Sequence, residues 1–515
     1  MRRLSSITAC MLALTTSVAC ADLYNLGDYT TGSDEPRSPE ESGPGTPDGV
    51  IGARAASRAN VPITHCTSNA ECGANVCIKA TGQCETLLSP ECPRVSGDPT
   101  KEGTILVGTI LDASLERAAL LAATELSANV PLAVVSCDTT NAIAASRHLV
   151  ERLHVPAMLG PREADDVIDV TQQVSAKGGA LLLTPTSQAT AIAHLADSDL
   201  TWRVAPSDSQ RANLVISQMN ALEDVLKTTR GLTAVKLALV HRTDTLGTSA
   251  RDAVVGKLVL NGRFLSDAAN AANVSIDAHV ANDGAALAGL VTRYAGPFRP
   301  DLVFITAPEH VDELIVPLEK ALTAARVVNR PYYVVTEAAK TQALLDAVAA
   351  PGAPADLKRR IRGIAATSPS ESATVRAGFE TRFAERTTFA EAATYDAMYA
   401  IGFALVAASG KGLAASAPPT GASVATGLRG LGVGAPMTVG PTDLPNVLGT
   451  LASGKSVSLR GASSLLQWDA KGDIATGTVE VFCVGTASGA PAFGSSGLSL
   501  DVATQVIGGT FVQCQ

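Results

Sequence analysis

Aromatic residues are scarce in this chain of 515 residues, since Phe, Tyr and Trp together make up only 4% of it. Apolar residues in total nevertheless reach 46%, which is enough for large buried cores. Those cores must therefore be packed mostly with Ala, Val and Leu. The chain is too long for one ordinary core, so its length indicates two or three structural units.

Clustered positive charge and long apolar runs are also lacking. The net charge of −9 is mild for such a length. It argues against binding to a nucleic-acid backbone, which requires grouped Lys and Arg side chains. Beyond the N-terminus no stretch of about 18 uncharged apolar residues occurs, so no internal membrane span is expected.

Catalytic motifs are a third absence. The sequence has no Gly-x-Ser-x-Gly elbow, no His-Glu-x-x-His motif and no phosphate-binding loop ending in Gly-Lys-Ser/Thr. Its seven histidines are scattered, and we interpret each of them as a surface or packed residue. We therefore expect no catalytic residues, no metal site and no cofactor, and we do not expect an enzyme.

The N-terminus has the pattern of an export signal. Met1 is followed by two arginines, and residues 4–19 are uncharged with an apolar centre. The stretch ends in small residues followed by Cys20, which resembles the lipobox of bacterial lipoproteins, although Ser17 stands where Leu is usual. We predict a signal peptide over 1–19 and lipidation of Cys20. The alternative is an ordinary cleaved signal with a chance Cys.

A polar segment follows the signal. Residues 20–60 are rich in Ser, Gly, Pro, Asp and Glu, and the stretch DEPRSPEESGPGTPDG (34–49) cannot bury a core. We predict a disordered tether there, with a typical reach of roughly 35 Å. Such a tether would lift a folded body off a membrane surface.

A small Cys-rich segment is predicted over 61–92. Four of its cysteines are separated by only five, four and six residues, and these are Cys66, Cys72, Cys77 and Cys84. So small a segment cannot be stabilised by burial alone and needs cross-links. In an exported chain we expect these to be disulfides among the four cysteines, and the connectivity is left open. A zinc site is the alternative, but no Cys-x2-Cys pair is present. Cys92 is a candidate to tie this segment to the main body, and Cys483 is expected to pair with Cys514.

From about residue 103 onwards, short apolar runs alternate with segments of helical spacing. The strand-like runs are 104–111, 131–136, 156–160 and 180–184 in a first series, and 236–241, 274–280, 301–306, 332–336 and 361–366 in a second. Such alternation predicts parallel βαβ units with each sheet covered on both faces. The expected fold class is therefore α/β, with two doubly wound parallel-sheet lobes.

Nine ordered segments, each joining an apolar run to a turn, carry a resemblance to a known family. They are AVVSCDTTNA (133–142), VPAMLGP (155–161), ALLLTPTSQAT (180–190), LTWRVAPSDSQRA (200–212), VKLALVHRTDTLGTSARD (235–252), RPDLVFITAP (299–308), RPYYVVTE (330–337), ATYDAMYAIGFAL (393–405) and LLQWDAKGD (465–473). In their order, spacing and residue types, these segments resemble the type I periplasmic binding proteins, the family of the leucine/isoleucine/valine-binding protein. The resemblance covers roughly 103–485.

The resemblance implies two lobes with a cleft between them, and a chain that crosses between the lobes three times. The crossings would lie near 202–208, 367–392 and 468–475. Lobe 1 would comprise about 103–205 and 393–470, and lobe 2 about 206–366 plus C-terminal strands, with a C-terminal extension over 486–515.

Two of the nine segments are predicted to be structural. In YDAMYA (395–400), a family signature, Tyr395 and Asp396 would fix the start of a helix near a crossing. The segment WDAKGD (468–473) is typical of a strand that leads into a tight turn, in which Gly472 supplies a positive φ.

Ligands of open α/β sheets bind beyond the C-terminal ends of the strands. The leading site candidates follow Pro185 in LTPTSQAT. By resemblance, Thr186, Ser187 and Gln188 would line the cleft and hold the amine or carboxylate of the solute. The alternative is that the hydroxyls only cap the following helix.

The segment GPREADD (160–166) departs from the family pattern. Family members commonly carry a Ser shortly after this Gly, where this chain has Ala164. Asp165 is a further site candidate, and it could also cap a helix beginning at 166. Acidic side chains here would repel a carboxylate, which argues against a free α-amino acid as the ligand.

The second lobe supplies the remaining candidates. Many relatives carry Tyr or Phe where Leu246 stands, so this chain keeps an apolar contact but has no hydroxyl there. Glu337 matches an acidic residue that pairs with the ligand ammonium in amino-acid binders, and the alternative is a solvated loop carboxylate. Thr306 and Asp244 are further candidates.

Together these patterns predict an extracytoplasmic solute-binding protein in the periplasm or cell envelope. It would capture a small polar solute, amino-acid-like or related, by hinge closure and deliver it to an ABC importer. Its expected partners are the solute, an ABC permease and, through the lipid anchor, the membrane, with no nucleic acid. The alternative is a ligand-sensing or envelope scaffold lipoprotein of the same fold with no transport role. The identity of the ligand is left open.

Metabolic labelling with a fatty acid tests the predicted anchor. We expect the wild-type chain to take up the label and the Cys20→Ala variant not to, because alanine lacks the thiol that accepts the lipid. Equal labelling of the two chains, or labelling of neither, would contradict lipidation at Cys20.

Overall fold

The structure of this chain is a computed structural model that describes residues 65–409 and 418–514. The predicted signal peptide, the tether and the lipidation site at Cys20 lie outside these residues. The described strands form two large sheets, of six and eight strands, and three two-stranded sheets.

The Cys-rich segment, residues 65–92, is a small unit that we name the knob. Its strands β1 (Val76–Ile78) and β2 (Gln83–Glu85) pair antiparallel. Disulfides join Cys66 to Cys77 and Cys72 to Cys84, so the predicted pairing is confirmed and its connectivity is defined. The sulfurs of Cys66, Cys72 and Cys77 lie close together, but all three are used in disulfides.

The six-stranded sheet and the helices that cover it form lobe 1. Its strands are β3 (Arg94–Ser96), β4 (Ile105–Ile110), β5 (Leu132–Cys137), β6 (Ala157–Leu159), β7 (Leu181–Thr184) and β8 (Thr201–Arg203). Its helices in this part of the chain are α1 (Ala113–Ser127), α2 (Ala142–Arg147), α3 (Ala164–Val170) and α4 (Ala176–Gly178), with π-helical segments at 148–152 and 171–175. The strand order is β3-β5-β4-β6-β7-β8, and only β3 and β5 pair antiparallel. Strands β5 and β7 are buried along their whole length, as a sheet covered on both faces requires.

The knob is tied to lobe 1 in two ways. A disulfide joins Cys92 to Cys137 at the end of β5, as the sequence suggested. In addition, Val76 and Ile78 of the knob belong to the same buried apolar cluster as Leu149 of lobe 1. The knob and lobe 1 therefore share one core.

The next part of the chain builds lobe 2 around the eight-stranded sheet. Its strands are β9 (Leu237–Arg242), β10 (Val259–Leu260), β11 (Arg263–Phe264), β12 (Val274–His279), β13 (Leu302–Ile305), β14 (Tyr332–Thr336) and β15 (Ile361–Thr367), of which β10 and β11 form a separate hairpin. Its helices are α5 (Asp208–Arg230), α6 (Thr245–Val255), α7 (Gly284–Ala295), α8 (Val316–Ala324), α9 (Gln342–Ala349) and α10 (Leu357–Arg360). Helix α5 starts directly after β8 because Ser207 and Gln210 form a capping box there, and it ends at Gly231 with φ +64°.

The chain then returns to lobe 1. This part contains α11 (Ala373–Phe383), α12 (Phe389–Ser409), α13 (Gly421–Arg429), β16 (Ala435–Thr438), α14 (Leu444–Ala452) and β17 (Val457–Arg460). Strands β16 and β17 pair with each other in parallel. Helices α12, α13 and α14 contribute to the same apolar cluster as α1.

Helix α12 is the core helix of lobe 1. By length and composition this helix could cross a membrane. However, 83% of its most apolar 18-residue stretch is buried inside the protein, and Tyr399 and Phe403 are fully buried. Its partner α1 presents an alanine-rich face, and Gly402 allows close approach, because a Cβ there would lie 2.7 Å from Leu126 Cδ1. Small residues on both helices thus allow α1 and α12 to pack closely.

The prediction that Tyr395 and Asp396 begin a helix is wrong. The helix starts at Phe389, since the residues before the signature are also apolar and buried, so both residues lie well inside α12. Their role is nevertheless structural. Asp396 accepts hydrogen bonds from Ala462 N (2.8 Å), Ser463 N (2.6 Å) and Ser463 Oγ (2.5 Å), which fixes the chain after β17 onto α12.

The C-terminal strands complete lobe 2. They are β18 (Thr478–Ala487), β19 (Ala490–Asp501) and β20 (Ile507–Gly508), and β18 pairs antiparallel with β15. The sheet order is then β12-β9-β13-β14-β15-β18-β19-β20. Cys483 is bridged to Cys514 as predicted. The turn before β18 contains Gly472 at φ +77°, which confirms its predicted backbone.

We expect Asp396→Ala to destabilise the protein by about 2–4 kcal/mol, because it leaves two buried backbone N–H groups without an acceptor. Burial raises the pKa of Asp396 to about 6, so the carboxylate is still ionised at pH 7 and accepts all three bonds. Denaturant unfolding of both chains measures the difference.

Asp346→Ala is the matched control. Asp346 is an exposed helical carboxylate whose partner is Gln342, one turn away, so its loss should change the free energy of unfolding by no more than about 0.5 kcal/mol. Equal stability of wild type and Asp396→Ala would show that this carboxylate does not hold α12 to the chain after β17.

Candidate functional site

The C-terminal ends of the parallel strands of the two lobes face each other, and loops from both lobes are in contact. Among the described residues, hydrogen bonds cross between the lobes at several points: Gln188 Nε2 donates to Glu337 Oε2 (2.9 Å), Thr190 N donates to Ser249 Oγ (2.9 Å), Thr245 Oγ1 donates to Asp165, and Asp208 N donates to Gln188 O (2.8 Å). Loops after β6 and β7 of lobe 1 therefore meet the loop after β14 and the first turns of α6. This is the cleft that the sequence predicted, with its lobes close together.

The loop after β7 brings Thr186, Ser187 and Gln188 to the cleft. It is anchored at its base by Thr184, whose Oγ1 donates to Pro161 O at 2.8 Å. The hydroxyl oxygens of Thr186 and Ser187 are buried and have no hydrogen-bond partner among the described residues. Buried polar groups usually have a partner, so these two oxygens are open to a ligand or to water.

The capping alternative for these hydroxyls is not observed. The helical turn that follows runs from Thr190 to His194, its first flanking residue is Ala189, and no side chain caps it. Gln188 is instead held by its backbone, because Asp208 N donates to Gln188 O at 2.8 Å.

Sequence analysis missed Arg203, whose side chain contacts the backbone of this loop. Its side chain is fully buried, and Nη1 donates to Ala189 O at 2.7 Å while Nε pairs with Asp473 Oδ1 at 2.6 Å. A charged residue inside the apolar run LTWRVAP was the available signal. A buried guanidinium must be paired, so this residue links the loop, β8 and the turn before β18.

Glu337 lies across the cleft from Gln188. The alternative interpretation, a loop carboxylate surrounded by solvent, does not describe this side chain. Its Oε2 also accepts from Ala366 N (3.1 Å) and pairs with Arg211 Nη1 (3.4 Å). The side chain is 22% exposed, and that of Arg211 is 3% exposed. All these contacts are made by Oε2, and no described residue hydrogen-bonds to Oε1.

Arg211 and Asp208 are further residues that sequence analysis missed, and both lie in the first turns of α5. Arg211 Nη2 donates to Pro206 O at 2.9 Å. Burial raises the pKa of the Asp208 carboxyl above its usual range, while the charge of Arg211 opposes that shift. The base of the cleft is thus a buried network of both signs of charge.

Asp165 does not cap a helix that begins at 166, because α3 begins at Ala164 and Asp165 lies in its first turn. It accepts a hydrogen bond from Thr245 of lobe 2 instead. Burial, followed by the charges of Glu163 and Asp165, raises the pKa of Asp166. This corner of the cleft is therefore acidic, which fits the expected repulsion of a carboxylate.

The other lobe 2 candidates lie near α6. Asp244 caps this helix, with Oδ1 accepting from Gly247 N at 3.1 Å, and Leu246 lies half-buried in its first turn. Thr306 is fully buried, and its hydroxyl lies 3.4 Å from Val240 O, so it is used within the sheet.

Two of the seven histidines meet at the same edge of lobe 2. His279 ends β12, His310 follows β13, and their Nε2 atoms lie 2.6 Å apart. Burial, and then the charges of His279, Arg242 and His241, lower the pKa of His310 to about 3, so its imidazole is neutral at pH 7. Sequence spacing gave no sign of this pair, because the two residues lie on different strand-to-helix connections.

No family model matches this chain, and no curated protein matches it. Solved structures do match. A periplasmic binding protein from Burkholderia mallei is 11% identical and has a TM-score of 0.52, over 77% of this chain and 94% of that one.

Two further matches are ABC transporter substrate-binding protein structures from Desulfitobacterium hafniense. One is a complex with Leu, with a TM-score of 0.49, and the other has a TM-score of 0.46. Both are 16% identical and cover 76% of this chain and 99% of theirs. At 11% identity the Burkholderia mallei match confirms the predicted two-lobed fold, and it does not identify a ligand.

Proposed function

We propose that this chain, which has the fold of periplasmic binding proteins, is an exported, lipid-anchored solute-binding protein that captures a small polar solute between its lobes. The observation that carries the proposal is the pair of buried hydroxyls on Thr186 and Ser187. They lie on a loop that faces the other lobe and have no hydrogen-bond partner among the residues that the structure describes. The function is binding without chemistry on the solute, and delivery would be to the permease of an ABC importer.

The cleft supplies a mixed set of polar groups for a solute. Lobe 1 offers the two hydroxyls and the amide of Gln188, and lobe 2 offers Glu337. The free Oε1 of Glu337 is suited to an ammonium or hydroxyl group of the solute, since a charged acceptor forms the stronger hydrogen bonds. The acidic corner around Asp165 disfavours a carboxylate nearby. We therefore propose an amino-acid-like or related solute other than the branched aliphatic amino acids.

Capture would proceed by hinge closure about the predicted crossings between the lobes, near 202–208, 367–392 and 468–475. A solute that enters must replace the direct contact between Gln188 and Glu337 with its own polar groups. The direct contact makes the solute-free closed form accessible, and the ligand then shifts the population of closed molecules only by its differential affinity for that form. We propose the lobe boundaries inferred from the sequence, about 103–205 with 393–470 and about 206–366 with the C-terminal strands, as the moving bodies.

A sensor or envelope scaffold is the second candidate function. Two observations favour it: the lobes already contact each other through Gln188 and Glu337, and the knob shares the core of lobe 1. Mass spectrometry of what co-purifies with the native protein separates the candidates. A small solute supports capture, whereas an envelope protein without a solute supports the scaffold.

Thr186→Val combined with Ser187→Ala should weaken binding of the co-purified solute by about tenfold or more, because each net hydrogen bond contributes about 0.5–1.5 kcal/mol. Thermal stability without the solute should not fall, since neither hydroxyl makes a hydrogen bond within the described part of the chain. Calorimetry and thermal unfolding measure the two effects.

Ser175→Ala is the matched control, because its hydroxyl is also buried without a partner but lies at the far end of the helix that leaves the cleft. It should bind the solute like the wild type. Unchanged affinity in the double variant would remove these hydroxyls from the site.

Calorimetric titration with leucine, isoleucine and valine tests the ligand class separately. We expect no tight binding of any of the three, because Ala164 and the acidic side chains beside it replace the expected carboxylate contact. Tight binding of any of these amino acids would refute this restriction while leaving the cleft itself intact.

A further inference from the structure

We propose that His279, His310 and Glu309 form a binding site for a divalent transition-metal ion, zinc in particular, at the edge of lobe 2. The proposal does not depend on the solute or on the transport role. It rests on the positions of three ligand-type side chains, on their burial and on the hydrogen bonds around them.

The three side chains converge. His279 comes from the end of β12, while Glu309 and His310 come from the loop after β13, and their ligand atoms all lie within 4.8 Å of one another. Ligands at about 2.1 Å from a tetrahedral zinc ion lie roughly 3.4 Å from each other. The two imidazole Nε2 atoms, now 2.6 Å apart, need to separate only slightly to hold an ion between them.

His279 is oriented as a metal ligand would be. Its Nδ1 lies 2.7 Å from Val280 O and must donate to this carbonyl, which leaves the Nε2 lone pair pointing at His310. Ligating histidines usually make this kind of bond with their other nitrogen, because it fixes the tautomer and the ring. The orientation is therefore built by the backbone and not by His310.

A hydrogen bond between the two imidazoles does not satisfy the pair. His279 is 4% exposed and His310 is fully buried, yet His310 Nδ1 has no hydrogen-bond partner among the described residues. In the direct pair, His310 Nε2 donates to His279 Nε2 and His310 Nδ1 is an acceptor. With an ion on both Nε2 atoms, Nδ1 would carry the proton instead, so this atom lacks a partner among the described residues in either state, and the case for the ion rests on the convergence of the three ligand atoms.

A charged side chain near the site competes with a metal ion for Glu309. Arg242 Nε lies 3.8 Å from Glu309 Oε1 and is also paired with Asp244. Because Asp244 holds the guanidinium, Glu309 can turn from Arg242 to a metal ion without leaving that charge unpaired. The Nδ1 of His241, a neighbouring imidazole, is engaged with Arg242 O at 2.8 Å.

An ion can reach the site from solvent. Pro308 is exposed, Val280 is 63% exposed, and the side chain of Glu309 is 12% exposed. Three protein ligands on a tetrahedral ion would leave the fourth position for water. The ion would link the end of β12 to the loop after β13, which are already joined by the histidine pair.

Titration of the full mature chain with Zn²⁺ and Co²⁺ tests the site, after chelator treatment and with the disulfides intact and any free thiol capped. We expect one ion per chain by calorimetry, the visible absorption of tetrahedral Co²⁺, and a higher unfolding temperature with Zn²⁺. Both His310→Gln and Glu309→Gln should weaken metal binding about tenfold or more.

His194→Gln, which removes an exposed histidine, is the control and should bind like the wild type. If His310→Gln does not fold, Glu309→Gln decides, because its side chain reaches the surface and its loss leaves the histidine pair in place. No saturable binding by the wild type, or equal affinity in wild type and Glu309→Gln, would overturn the proposal.

Discussion

The pairing of one buried guanidinium holds the two-lobed arrangement together. Arg203 is fully buried at the end of the last lobe 1 strand, and burying an unpaired charge would cost several kcal/mol. Asp473 on the third connection and Ala189 O on the cleft loop supply its partners. One side chain therefore fixes the loop that bears Thr186, Ser187 and Gln188 and joins two of the segments between the lobes. Moving this loop away from the third connection would leave the buried charge without a partner.

Buried polarity differs between the two edges of the lobe 2 sheet. At the N-terminal edge, Arg360 makes two bonds to Glu319, at 2.6 and 2.9 Å, and Tyr333 OH donates to the same carboxylate at 2.8 Å. At the C-terminal edge, His310 Nδ1 and Thr336 Oγ1 are buried and unpartnered among the described residues. A satisfied network stabilises a fold, whereas unsatisfied groups are suited to recognition. Arg230 Nη1 at the N-terminal edge is also buried without a hydrogen-bond partner among the described residues, so the contrast is between these particular groups and not between the two whole edges.

Much of the fold was predictable because its signals are local. Short apolar runs such as LVFI of β13 predict strands of a parallel sheet covered on both faces, and this strand is fully buried. The start of α12 was not predicted correctly, since apolar residues continue upstream of the family signature. The site was predictable only as a set of loops. The contact between Gln188 and Glu337 joins residues 149 positions apart, and neither Arg211 nor the histidine pair carries a local pattern. Contacts of that kind depend on how whole sheets are placed.

The attachment of the knob determines which of the two lobes it stays with. The disulfide between Cys92 and Cys137 and the shared apolar cluster make the knob a part of lobe 1, and everything that precedes residue 65 is joined to the body through it. The knob is therefore cross-linked to the body at the end of β5. Under the proposed hinge closure, the knob would stay with lobe 1 as one body, and lobe 2 would be the half displaced relative to both.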